Sequence, residues 1–191
     1  MEIIKLDLKR AVKAIREGKV LVCPTDTVYG LICDFNNKKA VERLYKIKKR
    51  PKWKLLPVFI KDIKMAKKLA YINKKQEEFL NKVWPGAVTV ILKSRKQGTI
   101  GLRIPSHKFV LGLAKHRGPL AESSANISGQ PASVKIKDVL KQFKYPAPLG
   151  RGSLNKIERQ PDLVINAGNL PKAKPSKVID LTIWPPKILR Q

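Results

Sequence analysis

Four stretches of this chain set cationic or small polar side chains beside apolar runs. The densest is "YKIKKRPKWK", residues 45–54, with six Lys or Arg in ten positions. Pro51 biases Arg50 toward extended backbone, so a helix arriving from the N-terminal side should end near Lys48. On an extended chain Lys48 and Arg50 can aim at one point, and Lys54 can join them from the following turn. An ammonium paired with a planar guanidinium grips a triphosphate or a carboxylate. The same residues also describe a solvated basic helix end, which suits the helix dipole. Taken alone, the stretch reads that way.

The second stretch is "PTDTVYG", residues 24–30. Alternate residues of an extended chain share a face, so Thr25 and Thr27 should project together while Asp26 points away. Two hydroxyls on one face can hold a small polar ligand; the plainer alternative is a turn in which Asp26 binds backbone. In the third, "TIGLRIP", Arg103 sits in an otherwise apolar strand, sharing a face with Thr99 and Gly101. A buried Arg needs an anion. Glu122 is the only acid between Trp84 and Lys137, which tilts the reading toward a ligand anion. The fourth, "ESSANISG" (122–129), has small hydroxyl and amide side chains that can let backbone approach a ligand closely and donate to phosphate. It also fits a Ser-rich turn and helix cap. Together the four outline a cavity with cations and hydroxyls but few acids, suited to a nucleotide and a small anionic substrate.

Other chemistries lack their residues. No G-x-x-x-x-G-K-[ST] phosphate loop occurs. "GRGSLN" at 150–155 is half a dinucleotide fingerprint without its third Gly or preceding strand. His107 and His116 fall in one predicted helix with no Cys or carboxylate cluster nearby, so both read as helix-surface residues rather than metal ligands. Neither a G-x-S-x-G nor an S-x-x-K motif appears, and no aromatic RNA-recognition signature.

The elements that must position these residues follow from periodicity. Leu8, Ala11, Val12 and Ile15 share a helical face that Gly18 ends. "KVLVCP" is a short buried strand. Asn36 or Asn37 can cap a helix carrying Ala40, Val41, Leu44 and Ile47. "LLPVFI" is a strand, "IKMAKKLA" and "KKQEEFLNKV" are helices, and "AVTVILK" and "TIGLRIP" are strands. A helix near 106–116 leads into "PLAESSANISGQP", read as a small-residue loop. "SVKIKDVLKQF" is a helix with Ser133 as N-cap, residues 145–161 form a long connection, and "DLVIN" and "KVIDLT" are late strands. Helices and strands interleave throughout, which predicts one α/β domain over residues 1–191 with a twisted mixed β-sheet flanked by helices.

Among 191 residues, 43% are hydrophobic and the formal net charge is +27. Such a field attracts polyanions and anionic small molecules, although Lys-rich surfaces also serve solubility. Cys23 and Cys33 are too few for a disulfide framework or a zinc site, which points to a reducing compartment. The N-terminus lacks a continuous apolar h-region and no window approaches a membrane span. A cytoplasmic protein with no membrane association is expected.

In order, "PTDTVYGL", "KKRPKWK", "WPGAVTVIL", "TIGLRIPSH", "SSANISGQP", "PSKVIDL" and "ILRQ" resemble the blocks of the YrdC/TsaC family, from about residue 5 to the end of the chain. That family makes threonylcarbamoyl-adenylate from L-threonine, bicarbonate and ATP, the first step toward threonylcarbamoyladenosine in tRNA. The resemblance implies a twisted sheet with a large basic concave face. It places the K-x-R…S-x-N signature on Lys48, Arg50, Ser124 and Asn126. It further implies ATP contacts from Arg50, Lys54, Thr99, Ser124 and Arg190, and threonine contacts from Thr27 and Arg103. Mg2+ would arrive with the ATP, and a TsaD-type tRNA threonylcarbamoyl transferase would use the product. The chain resembles the short form, without the C-terminal extension domain of longer members. Against the family pattern, Lys177 stands where Thr is usual, Glu122 where a small residue is commoner, Leu55 where Pro is frequent, and Phe59 where some members have His. The competing expectation is a non-catalytic protein that binds tRNA, double-stranded RNA or the ribosome, which the charge supports.

Overall fold

The computed structural model describes residues 1–144 and 159–191. "GRGSLN" and most of the 145–161 connection therefore lie outside the described residues. The elements run β1 (Glu2–Ile4), α1 (Leu8–Arg16), β2 (Leu21–Cys23), β3 (Gly30–Asp34), α2 (Lys38–Lys48), β4 (Val58–Phe59), α3 (Ile63–Leu69), α4 (Lys74–Val83), β5 (Val88–Lys93) and β6 (Thr99–Arg103). They continue with α5 (Lys108–Arg117), β7 (Leu120–Ser124), α6 (Ile136–Lys144), β8 (Leu163–Ile165), β9 (Lys177–Asp180) and β10 (Lys187–Arg190).

The helices begin where the side chains dictate. Asp7, Asn37, Asp62 and Asn73 each accept a backbone N–H from the first turn that follows, satisfying donors that have no helical partner. Asn37, not Asn36, is the α2 cap. Helix α2 ends at Lys48 as expected, but Lys49 adopts a left-handed conformation, φ 52°. Ser133 does not cap α6. Its Oγ accepts from Lys135 N–H one residue before the helix begins at Ile136, and donates to Asp138.

All the described strands join one mixed sheet, in the order β1-β8-β2-β3-β7-β4-β6-β5-β9-β10. Four pairs are parallel (β1/β8, β2/β8, β4/β6, β5/β9) and the other five antiparallel. Residues 120–124, expected as loop, form β7 at the centre of this sheet, paired with β3 and β4. Small and polar residues make poor strand formers. Here two flanking strands supply the pairing that composition does not advertise. The edge strands β1 and β10 were likewise not expected as strands, being short and, in β10, exposed along its length.

Strand alternation gives the sheet two unlike faces. On one, Val22, Leu31, Cys33 and Ala121 pack under α2 and α6, continuing to Val58, Val90 and Leu102 under α3 and α4. On the other, Leu21, Cys23, Ile32, Phe59 and Leu120 pack under α1 and α5. Among the described residues no helix covers the rest of that second face. Ile32, at its covered end, pairs directly with Glu122, and Gly30 with Ser124, so Glu122 and Ser124 stand where the cover stops. Gly101, Thr99 and Thr89 continue the bare face.

Candidate functional site

Two adjoining cavities occupy that bare face. The polar one, with a volume of about 100 Å³, is lined chiefly by Thr25, Thr27, Arg50, Phe59, Arg103, Glu122, Ser124, Ser176 and Arg190. A single water needs roughly 10–15 Å³, so a ligand of several heavy atoms fits. The second, about 340 Å³ and more apolar, shares Arg50, Pro57 and Arg190 and adds Leu55, Thr89, Ile91, Thr99, Gly101 and Val178. Gly101 keeps its floor low. A Cβ there would lie 3.4 Å from Thr89 Cγ2 and 3.7 Å from Pro57 Cα, in ordinary contact with both.

Thr25 and Thr27 do meet, their oxygens 3.0 Å apart and both buried, but through a turn rather than an extended strand. Thr25 Oγ1 donates to the Val28 carbonyl (2.7 Å) and accepts the Thr27 N–H (3.0 Å), the Ser/Thr turn that competes with regular structure. The one hydroxyl hydrogen of Thr25 is thereby used. Thr27 must donate to Thr25, which leaves its two lone pairs as acceptors.

The turn also swings Asp26 toward Arg103. The Arg103 guanidinium donates to Asp26 Oδ1 (2.6 Å) from Nη2 and to the Gly86 carbonyl (2.9 Å) from Nε, and lies 5.5 Å from the Phe59 ring centroid. Asp26 Oδ2 takes both the N–H and the hydroxyl of Ser106, at 3.1 and 2.9 Å. The anion that Arg103 demands is thus supplied by the protein, 77 residues away in sequence. A search confined to acids near Arg103 in the sequence could not find it. Burial pushes the Asp26 carboxyl up, but the Arg103 charge and the Ser106 bonds outweigh that and hold it below its ordinary value. Nη1 of Arg103 makes no hydrogen bond among the described residues, so the cation keeps one edge for the cavity.

Lys48 and Arg50 do not converge. The left-handed Lys49 turns them apart. Lys48 is buried, and its ammonium donates to Ser124 O (2.7 Å), Ser124 Oγ (3.0 Å) and Asn126 Oδ1 (2.5 Å). Three hydrogens meet three acceptors, so it has none for a ligand, and neither Lys48 nor Asn126 is on the cavity wall. Asn126 in turn donates to the Gln130 and Ile127 carbonyls, and Ser128 N–H to Lys48 O. The lysine therefore fastens the loop after β7 and fixes Ser124 in place. Burial, then the Arg50 charge, lowers its pKa to about 8, against a smaller pull upward from Glu122.

Arg50 does face the cavities. Its Nε and Nη2 donate to the Lys54 and Leu55 carbonyls, 2.9 and 3.0 Å, closing residues 51–55 into a loop beneath it. Lys54 lies on the surface over the Trp53 ring, 4.9 Å from its centroid, and serves Arg50 through its backbone. Arg190 reaches the site because β10 slips register between Ile188 and Arg190, a bulge that re-aims the side chain. It donates to Ser176 O from Nε (3.0 Å) and Nη2 (2.7 Å), and Ser176 Oγ lies 3.0 Å from Thr89 Oγ1. Lys177 is exposed and off both walls.

Of the residues expected at a site, the polar cavity gathers Thr27, Arg50, Arg103, Ser124 and Arg190, and the apolar one adds Thr99. Ser176 and the Asp26 partnership went unnoticed in sequence. Both act across long separations; the need of Arg103 for an anion hinted at Asp26, and no such signal marks Ser176. His116 is exposed as expected, whereas His107 is half-buried just before α5, with Nδ1 buried and unpartnered. No group of three His, Cys, Asp or Glu among the described residues is placed to hold a metal. No helix of the described residues is long and apolar enough to cross a membrane.

Residues 13–191 match the family model for Sua5, YciO and YrdC, described as telomere recombination. A Pyrococcus abyssi relative named threonylcarbamoyl-AMP synthase is 34% identical over 187 residues. The match covers 92% of this chain and 51% of the relative, so the chain spans about half of its length. The crystal structure of P. abyssi Sua5 with L-threonine superposes with a TM-score of 0.83 at 30% identity, over 99% of this chain and 56% of that one. Escherichia coli YciO gives a TM-score of 0.80 at 27% identity, over 100% of this chain and 94% of its own.

Proposed function

Because the chain belongs to the Sua5/YciO/YrdC family, we propose that it is a nucleotidyltransferase forming threonylcarbamoyl-AMP and pyrophosphate from L-threonine, bicarbonate and ATP. The observation that carries this reading is the convergence of Thr27, Arg50, Arg103, Ser124 and Arg190 on one polar cavity, from five separate segments of the chain. Three guanidiniums and an array of hydroxyls match substrates that are carboxylates, phosphates and a β-hydroxy amino acid.

The roles divide by position. Nη1 of Arg103 takes the threonine carboxylate, and an acceptor lone pair of Thr27 takes the threonine hydroxyl. The carbamate, formed from the amine and bicarbonate, attacks the α-phosphate in line and expels pyrophosphate. Arg50, Arg190 and Ser124 stabilise the charge that develops on the phosphates, so the protein contributes mainly positioning and electrostatics. The base and ribose of ATP lie in the adjoining apolar cavity over Gly101 and beside Thr99. Lys48 and Asn126 act from behind the wall by holding Ser124, and Lys54 acts through its carbonyl on Arg50. Mg2+ would supply further phosphate neutralisation and, with no group of three His, Cys, Asp or Glu among the described residues placed to hold it, would arrive with the nucleotide. The product passes to a TsaD-type transferase for tRNA modification in the cytoplasm.

The charge of +27 favours a second reading, a non-catalytic RNA binder. One experiment separates them. Purified protein given ATP, Mg2+, L-threonine and bicarbonate should release pyrophosphate only when both co-substrates are present, and R50A should abolish release. Absence of release, with tRNA binding that weakens steeply with salt, would overturn the enzyme reading.

A further inference from the structure

Glu122 is the one acid on the polar cavity wall among the described residues, where Arg50, Arg103 and Arg190 are the other charged groups. It is 9% exposed, yet its carboxyl forms no hydrogen bond or ion pair with any described residue. Its backbone is held by β3 on one side and by the Pro57 carbonyl on the other, so the side chain cannot leave the site by a loop movement. Neither carboxyl oxygen is among the buried unpartnered atoms, so the carboxylate opens to the cavity without a protein donor, and two nearby acids show how this fold otherwise treats them. Asp26 receives three donors, and Asp34 pairs with Arg117. Glu122 receives none.

We propose that Glu122 receives the α-ammonium group of the amino-acid substrate and takes one of its protons. The inference rests on the reading of an amino-acid substrate above. A zwitterion brings one anion and one cation. Arg103 and the other guanidiniums account for the anion, and Glu122 is the one acid among the described residues on the wall to meet the cation. It lies on the same strand face as Ser124, two residues away, on the wall that also carries Thr27 and Arg103.

The step balances. One ammonium N–H bond breaks, its electron pair stays on nitrogen, and the proton moves to a Glu122 carboxylate oxygen. The freed amine then bonds to the bicarbonate carbon with loss of water, giving a carbamate that carries the single negative charge of the bicarbonate. Burial raises the Glu122 pKa, while Arg103, Arg190, Lys48 and Arg50, in that order, pull it down. The net upward shift brings the acceptor closer to an amine and makes the transfer less uphill.

The test compares L-threonine with 2,3-dihydroxybutanoate, in which a hydroxyl replaces the amine, binding each to the full chain by calorimetry. A hydrogen bond between charged groups contributes about 1.5–3 kcal/mol, or roughly 10- to 150-fold in affinity. Unmodified protein should prefer threonine by at least about 10-fold, and E122Q should retain less than about 3-fold. Threonine-dependent pyrophosphate release by E122Q should fall by about 100-fold or more, with loss of the acid limb of its pH–rate profile. An E122Q protein that keeps both the preference and the acid limb overturns the inference. So does one that loses ATP affinity while its preference for the amine stands, since that would assign Glu122 to the nucleotide or its metal. Should E122Q not fold, the unmodified protein still decides. Its preference for the amine must fade as pH drops through the Glu122 carboxyl range, and a preference constant down to pH 4 refutes the role. Failure of the enzyme reading would appear differently, as absent pyrophosphate release in unmodified protein.

Discussion

Neutralising Asp26 is the sharpest way to ask whether the protein itself supplies the anion for Arg103. In D26N the shape is kept and the charge is lost. Arg103 is only 2% exposed, so its guanidinium would remain buried without a counter-ion, and the new amide NH2 would face either Arg103 Nη2 or the Ser106 donors. Removing one member of a buried pair costs about 3–5 kcal/mol. Against a typical total of about 5–15 kcal/mol, that is a large fraction of the stability. For a chain of this length it corresponds to a fall in Tm of about 6–20 °C. Urea unfolding of wild type, D26N, R103M and the double variant completes a cycle in which the pair should couple by about 1–3 kcal/mol. The pH dependence adds a signed check. The Asp26 carboxyl is depressed in the fold, so its contribution is full above the unfolded value of 3.8 and is lost as pH falls through the lower folded one. Wild type should therefore lose stability below pH 3.8 in a way that D26N does not share. A D26N cost under about 1 kcal/mol, or additivity within about 0.5 kcal/mol, would mean that Arg103 does not depend on Asp26 and that its anion comes from a ligand.

Three further outcomes follow from the same geometry. E122Q should unfold at a higher temperature than wild type at pH 8 and lose that advantage near pH 4. A raised carboxyl pKa penalises the fold as pH rises through it, so scanning calorimetry at the two pH values checks the sign. K48M should reduce pyrophosphate release about 10- to 100-fold although Lys48 touches no ligand, with KM for ATP rising through the displaced Ser124. The gap between its stability and that of wild type should also change between pH 8 and 10.5, by about 3 kcal/mol for a shift of this size, because the charged Lys48 costs the fold until it deprotonates. G101A should fold normally, given the ordinary contacts its Cβ would make, and weaken nucleotide binding by raising the apolar cavity floor. Unchanged nucleotide affinity by calorimetry would remove the nucleotide from that cavity.

Much of the site was legible in sequence, and the exceptions share a cause. Helix positions came from period and caps: Leu8, Ala11, Val12 and Ile15 turned inward, and Pro51 ended α2 where expected. Arg103 was correctly suspected from one charge in an apolar strand, since a buried cation announces a partner. Its partner Asp26 stayed hidden because sequence distance carries no information about cross-sheet proximity. Lys48 and Arg50 were read as a joint grip on the premise of extended backbone. One left-handed residue, Lys49, overturned that geometry, and no propensity rule flags a Lys there. Residues 120–124 looked like loop because small polar side chains disguise a strand whose open face is meant for a ligand rather than for packing.

The half-bare sheet face has a bearing on how such a site can vary. Its floor is a lattice of residues fixed by backbone pairing, with Ile91 opposite Gly101, Thr89 opposite Val178, and Glu122 opposite Ile32. Ile32 packs under α1 and α5, whereas the other five positions face the cavities and give nothing to the helices on the far side. A substitution there redraws the floor without asking any loop or helix to move. Glu122 is one such tile, and the recognition of a different amino acid, acyl group or nucleotide lies only a few tiles away.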